Sequence, residues 1–393
     1  MKLAMIGFGQ AGGKVVDRFL EYDDRTGSAI VRAAIAVNTA KADLLGLTHV
    51  PEEKRVLIGQ AKVKGHGVGA DNELGAEIAE EDIGEVQGAL DGIPTHEIDA
   101  FLVVAGMGGG TGSGGAPVLA RHLQRIYTEP VYGLGILPGG DEGGIYTLNA
   151  ARSFQTFVRE VDNLMVFDND SWRKTGESVE GGYREINEEI VTRFGILFGA
   201  GEVGAGDEVA ESVVDSSEII NTLSGGGVST IGYASETLTA EESSGGGLLS
   251  RFTGGGDPEI DTAHTTNRIT SLVRKAALGR LTLPCEIEGT ERALLVMAGP
   301  PRHLNRKGIE RGRKWIEQQT GSMEVRGGDY PVPNADEVSA VLLLSGINDV
   351  PRIRELQQVA VEAQDNIEDI KAESETNLAD LVNDDGDELD PLF

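Results

Sequence analysis

The sequence predicts an α/β protein: a Rossmann-like parallel sheet in the N-terminal half, one long central helix, and a smaller C-terminal α+β domain. Three observations carry that prediction. Short β-branched runs alternate with longer amphipathic segments over residues 1–170, the pattern of a parallel sheet flanked by helices. Two glycine-rich turns each follow an apolar run and lead into a helical pattern. From Gly181 onward, Tyr183, Ile186, Ile190, Phe194 and Leu197 recur at three and four, which argues a single long helix buried along one face.

Taken in order, strands are expected at KLAMI, AIVRAAIAV, RVLI, FLVVAG, VYGLGIL and LMVF, enough for a complete nucleotide-binding domain over residues 1–180. The central helix takes 181–200 and connects to residues 201–360. There the strands are VSTIGYAS, RALLVMAG and EVSAVLLLSG, with helical patterns around Ile269–Leu278 and Ile309–Gln319. The Ser- and Gly-rich stretch from Thr239 to Asp257 reads as a flexible loop. It also carries Leu248, Leu249 and Phe252, which a pure spacer does not need. Residues 361–393 hold twelve acids against one base, Lys371, and read as a disordered acidic tail.

Composition narrows the function. At 393 residues the chain exceeds the size at which one hydrophobic core stops growing, so two domains are expected. Sixty-four Asp and Glu against 34 Lys and Arg give a net charge of −30, which repels nucleic acid and anionic lipid. Removing the tail leaves 52 acids against 33 bases, so the acidity is global. Eleven of the basic residues are Lys and the rest Arg, and this with the diffuse negative charge suggests a high-salt cytoplasm. The single cysteine, Cys285, excludes an intramolecular disulfide and a Cys-based zinc cluster, and no metal site is expected from the protein's own side chains. No basic leader and no stretch of about 18 apolar residues occurs, so the expectation is a cytoplasmic protein without an integral membrane segment.

The first turn, in MKLAMIGFGQAGGKVVDRF, has the G-x-G-x-x-G spacing of a dinucleotide site at Gly7, Gly9 and Gly12. The second strand, however, ends in Asn38 and Thr39, where a ribose-binding carboxylate would stand. A P-loop fails as well, because Phe8 and Val15 replace its glycine and its Ser or Thr around Lys14. The turn suits a phosphate without fitting either motif.

The second turn is VVAGMGGGTGSGGAPVLARHL, Val103 to Leu123. A buried strand, Phe101–Ala105, runs into crowded glycines, and the following helix is expected to start with Pro117 in its first turn. Backbone N–H groups and the helix dipole favour an anion there, and Thr111 and Ser113 add hydroxyl donors. Further along, Asp215 and Glu218 in VVDSSEII form a D-x-x-E capping box before an apolar run, which accounts for both carboxylates without any catalytic role.

Gly108 to Gly114 read GGGTGSG, which resembles the signature loop of the tubulin and FtsZ superfamily. The resemblance spans roughly residues 1 to 360 and implies the fold of that superfamily. By it, Gly9, Gln10, Ala11 and Gly12, with Gly13 and Lys14, form one phosphate loop, and Gly106, Gly108, Gly109, Gly110, Thr111 and Gly112 form the other. GHGVGADNELG, Gly65 to Gly75, is similar to the loop that senses the γ-phosphate, with Gly69, Ala70 and Asp71 nearest to it. Glu142 matches the acidic residue that binds ribose, and Asn169 and Asn187 match the asparagines that read guanine. Asp215 and Glu218 then lie in the loop that hydrolyses a neighbour's GTP, and a capping box would hold them for it.

Val213 and Glu218 stand where FtsZ has Asn and Asp, Lys14 where it has Asn, and no basic residue follows Glu142 until Arg152. These mixed features resemble the CetZ group of haloarchaea. The resemblance implies a cytoplasmic, filament-forming GTPase that takes GTP or GDP with Mg²⁺, partners with its own copies and controls cell shape. Residues 239–257 would serve side-to-side contacts between filaments. An FtsZ-type division protein and a nucleotide-bound polymer with little hydrolysis are the alternatives.

Overall fold

The structure is a computed structural model that describes residues 1–173, 179–200, 214–239 and 262–363. The loop proposed at 239–257 lies outside these beyond Thr239, as do Val213 and the acidic tail from 364. The six expected N-terminal strands are β1 (Leu3–Phe8), β2 (Val31–Asn38), β3 (Arg55–Leu57), β4 (Ala100–Gly106), β5 (Val131–Leu137) and β6 (Asn163–Asp168). All are parallel, in the order β3-β2-β1-β4-β5-β6. They are joined through α1 (Gly9–Thr26), α2 (Lys41–Leu45), α3 (Gln60–Val63), α4 (Asn72–Glu81), α5 (Ile83–Leu90), α6 (Gly110–Ile126) and α7 (Gly144–Phe157). Strands β1, β4, β5 and β6 are apolar and almost wholly buried, as a sheet covered on both faces requires.

After β6 come α8 (Val179–Gly199), α9 (Ser216–Leu223), β7 (Val228–Thr237), α10 (Thr262–Leu278), β8 (Arg292–Gly299), α11 (Arg306–Thr320), β9 (Glu324–Pro331), β10 (Glu337–Ser345) and a helix at 351–363. The C-terminal strands continue the same sheet as β6-β7-β10-β8-β9. The junction is narrow: β6 and β7 pair only at Leu164↔Val228 and Met165↔Ser229, against nine pairs between β7 and β10. Asn163 compensates by donating to Leu223 O, Gly226 O and Ser345 Oγ while accepting from Ser229 Oγ (2.7 Å).

The expected face of α8 is buried: Ile186, Ile190, Phe194 and Leu197 join Val15, Val16 and Phe19 of α1 and Leu294, Val296, Val341 and Leu343 of the C-terminal strands in one cluster. The opposite sheet face is covered by α4–α7 and by α10 and α11. Strand β9 has no counterpart among the expected strands, because EVRGGDYP is polar and carries two glycines. Among the described residues it is an edge strand paired only with β8, where polar residues and glycine are tolerated.

Pro117 is not in the first turn of α6 but in its interior. The helix starts earlier, at Gly110, because its glycines pack backbone to backbone where side chains would not fit. A Cβ on Gly112 would stand 2.7 Å from Gly106 O, and one on Gly110 2.5 Å from Val68 Cγ2. Tertiary contact holds residues of low helix propensity in a helix.

Candidate functional site

A cleft of about 830 Å³ opens at the C-terminal ends of β1, β4, β5 and β6. This is where an open α/β sheet binds ligands, at the point where strand order reverses. Its floor is two helix N-termini. Helix α1 begins at Gly9, left-handed at φ 75, and α6 is capped only by Gly109. Neither has a side-chain cap or an acid in its first turn, so their leading N–H groups and positive dipole ends are left for a ligand. The two turns interlock, since a Cβ on Gly9 would sit 2.8 Å from Gly112 N. Helix α4 is the contrast: Asp71 caps it by accepting from Leu74 N (3.0 Å), and Asp71 does not border the cleft.

From the first loop Gly9, Gln10, Ala11 and Lys14 line the cleft, and from the second Gly106, Gly108, Gly109, Gly110, Thr111 and Gly112. Gly12 and Gly13 do not: Gly12 lies against the Val104 carbonyl and Gly7, and Gly13 faces Leu47, so both serve the packing of α1 on the sheet. Gly109 differs from its neighbours in that a Cβ there would meet nothing within 4 Å among the described residues beyond the adjoining ones in the chain. The space in front of it belongs to the cleft. Thr111 Oγ1 bonds Thr39 Oγ1 (2.7 Å), whereas Ser113 is no donor to a ligand. Its hydroxyl turns back to the Gly109 carbonyl inside the helix.

Gly69 and Ala70 form one wall, and Ala70 is left-handed (φ 65) without being glycine. The sequence reading missed the residue that holds this strained loop. Asn149 of α7, 1% exposed, donates to both Ala70 O (2.6 Å) and Gly108 O (3.0 Å), tying the wall to the second glycine loop. An asparagine on the buried face of an amphipathic helix was the available signal.

Glu142, Asn169 and Asn187 line the far end, with Tyr146, Arg173 and Tyr183. Glu142 accepts from Gly139 N (2.7 Å), closing its own loop. Tyr183, counted in the sequence with the apolar face of the central helix, does pack against that core cluster, and it also borders the cleft, hydrogen-bonds Glu142 and lies 5.9 Å from the Arg173 guanidinium. Burial and the Glu142 carboxylate raise its phenol pKa. Asn169, 6% exposed, has an Oδ1 with no partner. A buried carbonyl oxygen left without a donor is costly, and Asn169 borders the cleft.

Asp215 and Glu218 do not border this cleft. Asp215 caps α9, accepting from Glu218 N (3.0 Å) and Ser217 Oγ (2.5 Å), and these bonds keep its carboxyl below the usual range. Glu218 accepts from the Asp215 N–H in return, completing the capping box. Burial first, and the Asp215 charge second, push the Glu218 pKa up, with Arg326 and Arg313 opposing. Helix α9 packs on β8, five interstrand steps from β4, or about 24 Å at the usual strand spacing.

Two family models match end to end: the GTPase domain of the Tubulin/FtsZ family over residues 2–177, and the C-terminal domain of tubulin-like CetZ over 176–362. The chain belongs to the CetZ group of the tubulin/FtsZ family. It is 81% identical over 373 residues to the tubulin-like protein CetZ1 of Haloferax volcanii, covering 94% of each chain. It is 64% identical to CetZ3 of the same organism over the full length of both. Among solved structures it resembles the GDP-bound CetZ1 monomer of H. volcanii, with a TM-score of 0.82, 75% identity and coverage of 93% of this chain and 100% of that one. The GTPγS-bound CetZ2 protofilament of H. volcanii also gives 0.82, at 45% identity, covering 94% and 100%. The sheet and the cleft described above are thus those of a CetZ fold. Among the described residues, no helix is long and apolar enough to cross a membrane.

Proposed function

We propose that this chain binds GTP in the cleft, polymerises head to tail in the cytoplasm and hydrolyses GTP at the junction between subunits, in the service of cell shape. The observation that carries the reading is the convergence of two uncapped helix N-termini on one end of a cleft whose other end holds the unpaired Asn169 acceptor. Triphosphate suits the first end and guanine the second. The GDP-bound monomer and GTPγS-bound protofilament known for two relatives support it.

The chain's part in hydrolysis is positioning. Backbone N–H groups of Gly109 to Gly112, with Lys14, would hold the phosphates, while Glu142 engages ribose and Asn169 and Asn187 the base. Asp215 and Glu218 sit too far along the sheet to reach the phosphates of their own subunit, so they would orient water at a neighbour's. Glu218, its basicity raised by burial, suits that role. No group of three or more His, Cys, Asp or Glu able to hold a metal occurs among the described residues. A Mg²⁺ would therefore be held mainly by phosphate oxygens and water, with Asp43, bonded to Gln10 (2.9 Å), as the carboxylate on that side. Its chemistry would be to offset charge developing on the phosphoryl oxygens. Side-to-side filament contact is assigned to residues 239–257, whose deletion should spare single filaments and abolish bundles.

Sedimentation at molar salt with GTP, GDP and no nucleotide tests the central claim. Pelleting with GTP, and phosphate release per subunit that rises with protein concentration, is the expected result. Pelleting without phosphate release would favour a structural polymer, and equal competition by ATP would remove the guanine assignment.

A further inference from the structure

The base end of the cleft is not held by the matched GTPase domain alone. Asn169 sits in a short turn whose conformation depends on Asp168, which accepts from Asp170 N (3.3 Å) and Ser171 Oγ (3.2 Å). Asp168 is 2% exposed, and its own N–H donates to Thr282 O (2.7 Å). Its charge is faced by Arg352, from the first turn of the helix at 351–363, with Nε 3.6 Å from Asp168 Oδ1. The same guanidinium donates through Nη2 to Pro138 O (3.2 Å) and through Nη1 to Glu355 (3.2 Å). Pro138 lines the cleft and leads into the Gly139–Glu142 loop. One planar fork, 214 residues along the chain from Pro138, thus ties together the loop that carries Glu142 and the turn that carries Asn169.

We propose that Arg352 is a positioning residue for base recognition: from behind the cleft it clamps the ends of β5 and β6, holding Asn169 where it can read guanine. The proposal rests on the assignment of Asn169 to the base. Taking a carboxylate and a guanidinium out of water rarely adds stability, so the pair is better explained by geometry than by folding energy. Arg suits the task because its planar guanidinium donates to Pro138 O through Nη2 while its Nε side lies against the Asp168 carboxylate as an ion pair at 3.6 Å rather than as a hydrogen bond, an extended two-sided contact that a compact ammonium does not make. The C-terminal domain thereby contributes to a specificity that Asn169, in the N-terminal domain, would express.

The test is the affinity of the full-length protein for GTP and for ITP, which lacks the 2-amino group. Arg352→Gln is expected to weaken GTP binding on the order of tenfold and ITP binding by less than about twofold, as removing one hydrogen bond to the base would. Arg352→Lys, which keeps the charge and the fold, should show the same loss of discrimination to a smaller degree, and carries the test if the glutamine variant does not fold. Asp168→Asn with Arg352→Gln should lose no more than the worse single variant. Equal weakening of GTP and ITP would reduce Arg352 to a structural role and overturn the proposal. Asn169→Ala separates the two claims. If it leaves the GTP/ITP ratio unchanged, the base assignment itself fails; if it collapses the ratio while both Arg352 variants preserve it, the clamp alone fails.

Discussion

At the scale of single residues, the two glycines that begin α6 have different tasks. A methyl on Gly110 would collide with Val68 and with the Asp71 backbone, whereas one on Gly109 would meet only open cleft, at an ordinary φ of −74. Gly109→Ala is therefore expected to fold with wild-type thermal stability yet bind GTP more weakly, on the order of tenfold or more. Gly110→Ala should lose stability as well as affinity. Calorimetric titration alongside thermal melting separates them, and unchanged affinity in the Gly109 variant would move the phosphate elsewhere. Asp168 supplies a second prediction. Burial raises its carboxyl to about 6, above the ordinary 3.8, despite Arg352. The folded protein then binds this proton more tightly than the unfolded chain, so the group's contribution to stability grows as pH falls from about 6 to about 4. The ceiling is about 3 kcal/mol, from 1.36 kcal/mol per pKa unit. Asp168→Asn lacks this proton, so the stability of wild type relative to the variant should rise between pH 7 and pH 4.5. A gap that stayed flat across that range would contradict the raised carboxyl.

At the scale of elements, the capping at the start of α9 is compatible with the hydrolytic role proposed for the same two carboxylates. The D-x-x-E box is formed in full, and it fixes both carboxylates at the helix N-terminus. Asparagine caps as well as aspartate, so Asp215→Asn should keep the helix while removing the charge. Asp215→Ala should cost about 1 kcal/mol of stability. If the carboxylate acts on phosphate, both variants lose GTP hydrolysis. If only the alanine variant does, the residue is a cap and nothing more. The motif was legible in sequence because capping is local. Pro117 was misplaced for the opposite reason: contacts of Gly110 and Gly112 with Val68 and Gly106 extend α6 backward through residues whose local preference is against helix.

At the scale of the whole molecule, the ten strands of the described residues form one sheet, and the distance along it from β4 to β8 keeps Asp215 and Glu218 away from the cleft of the same subunit. Hydrolysis should then depend on assembly. Glu218→Gln keeps the size of the side chain and should fold, bind GTP and persist as longer-lived filaments, with turnover lowered 10²- to 10⁴-fold, as for loss of a general base. Mixed with wild type, it should depress the rate per wild-type subunit, because some wild-type sites would face an inert neighbour. Activity that tracked the wild-type fraction linearly, in mixtures shown to co-assemble, would place hydrolysis within single subunits.

The sequence by itself determined what depends on local pattern: six parallel strands from β-branched runs, a long helix from three-and-four spacing, two glycine turns that lead from strand into helix, and the cap at Asp215. It did not yield Asn149 as the tie between Ala70 and Gly108, the edge strand Glu324–Pro331, or the second face of Tyr183, which borders the cleft as well as the core. Nor did it bring Arg352 to Asp168 and Pro138. Each of those joins residues far apart in the chain, and pairings at such separation follow from how the layers pack, which no local spacing encodes.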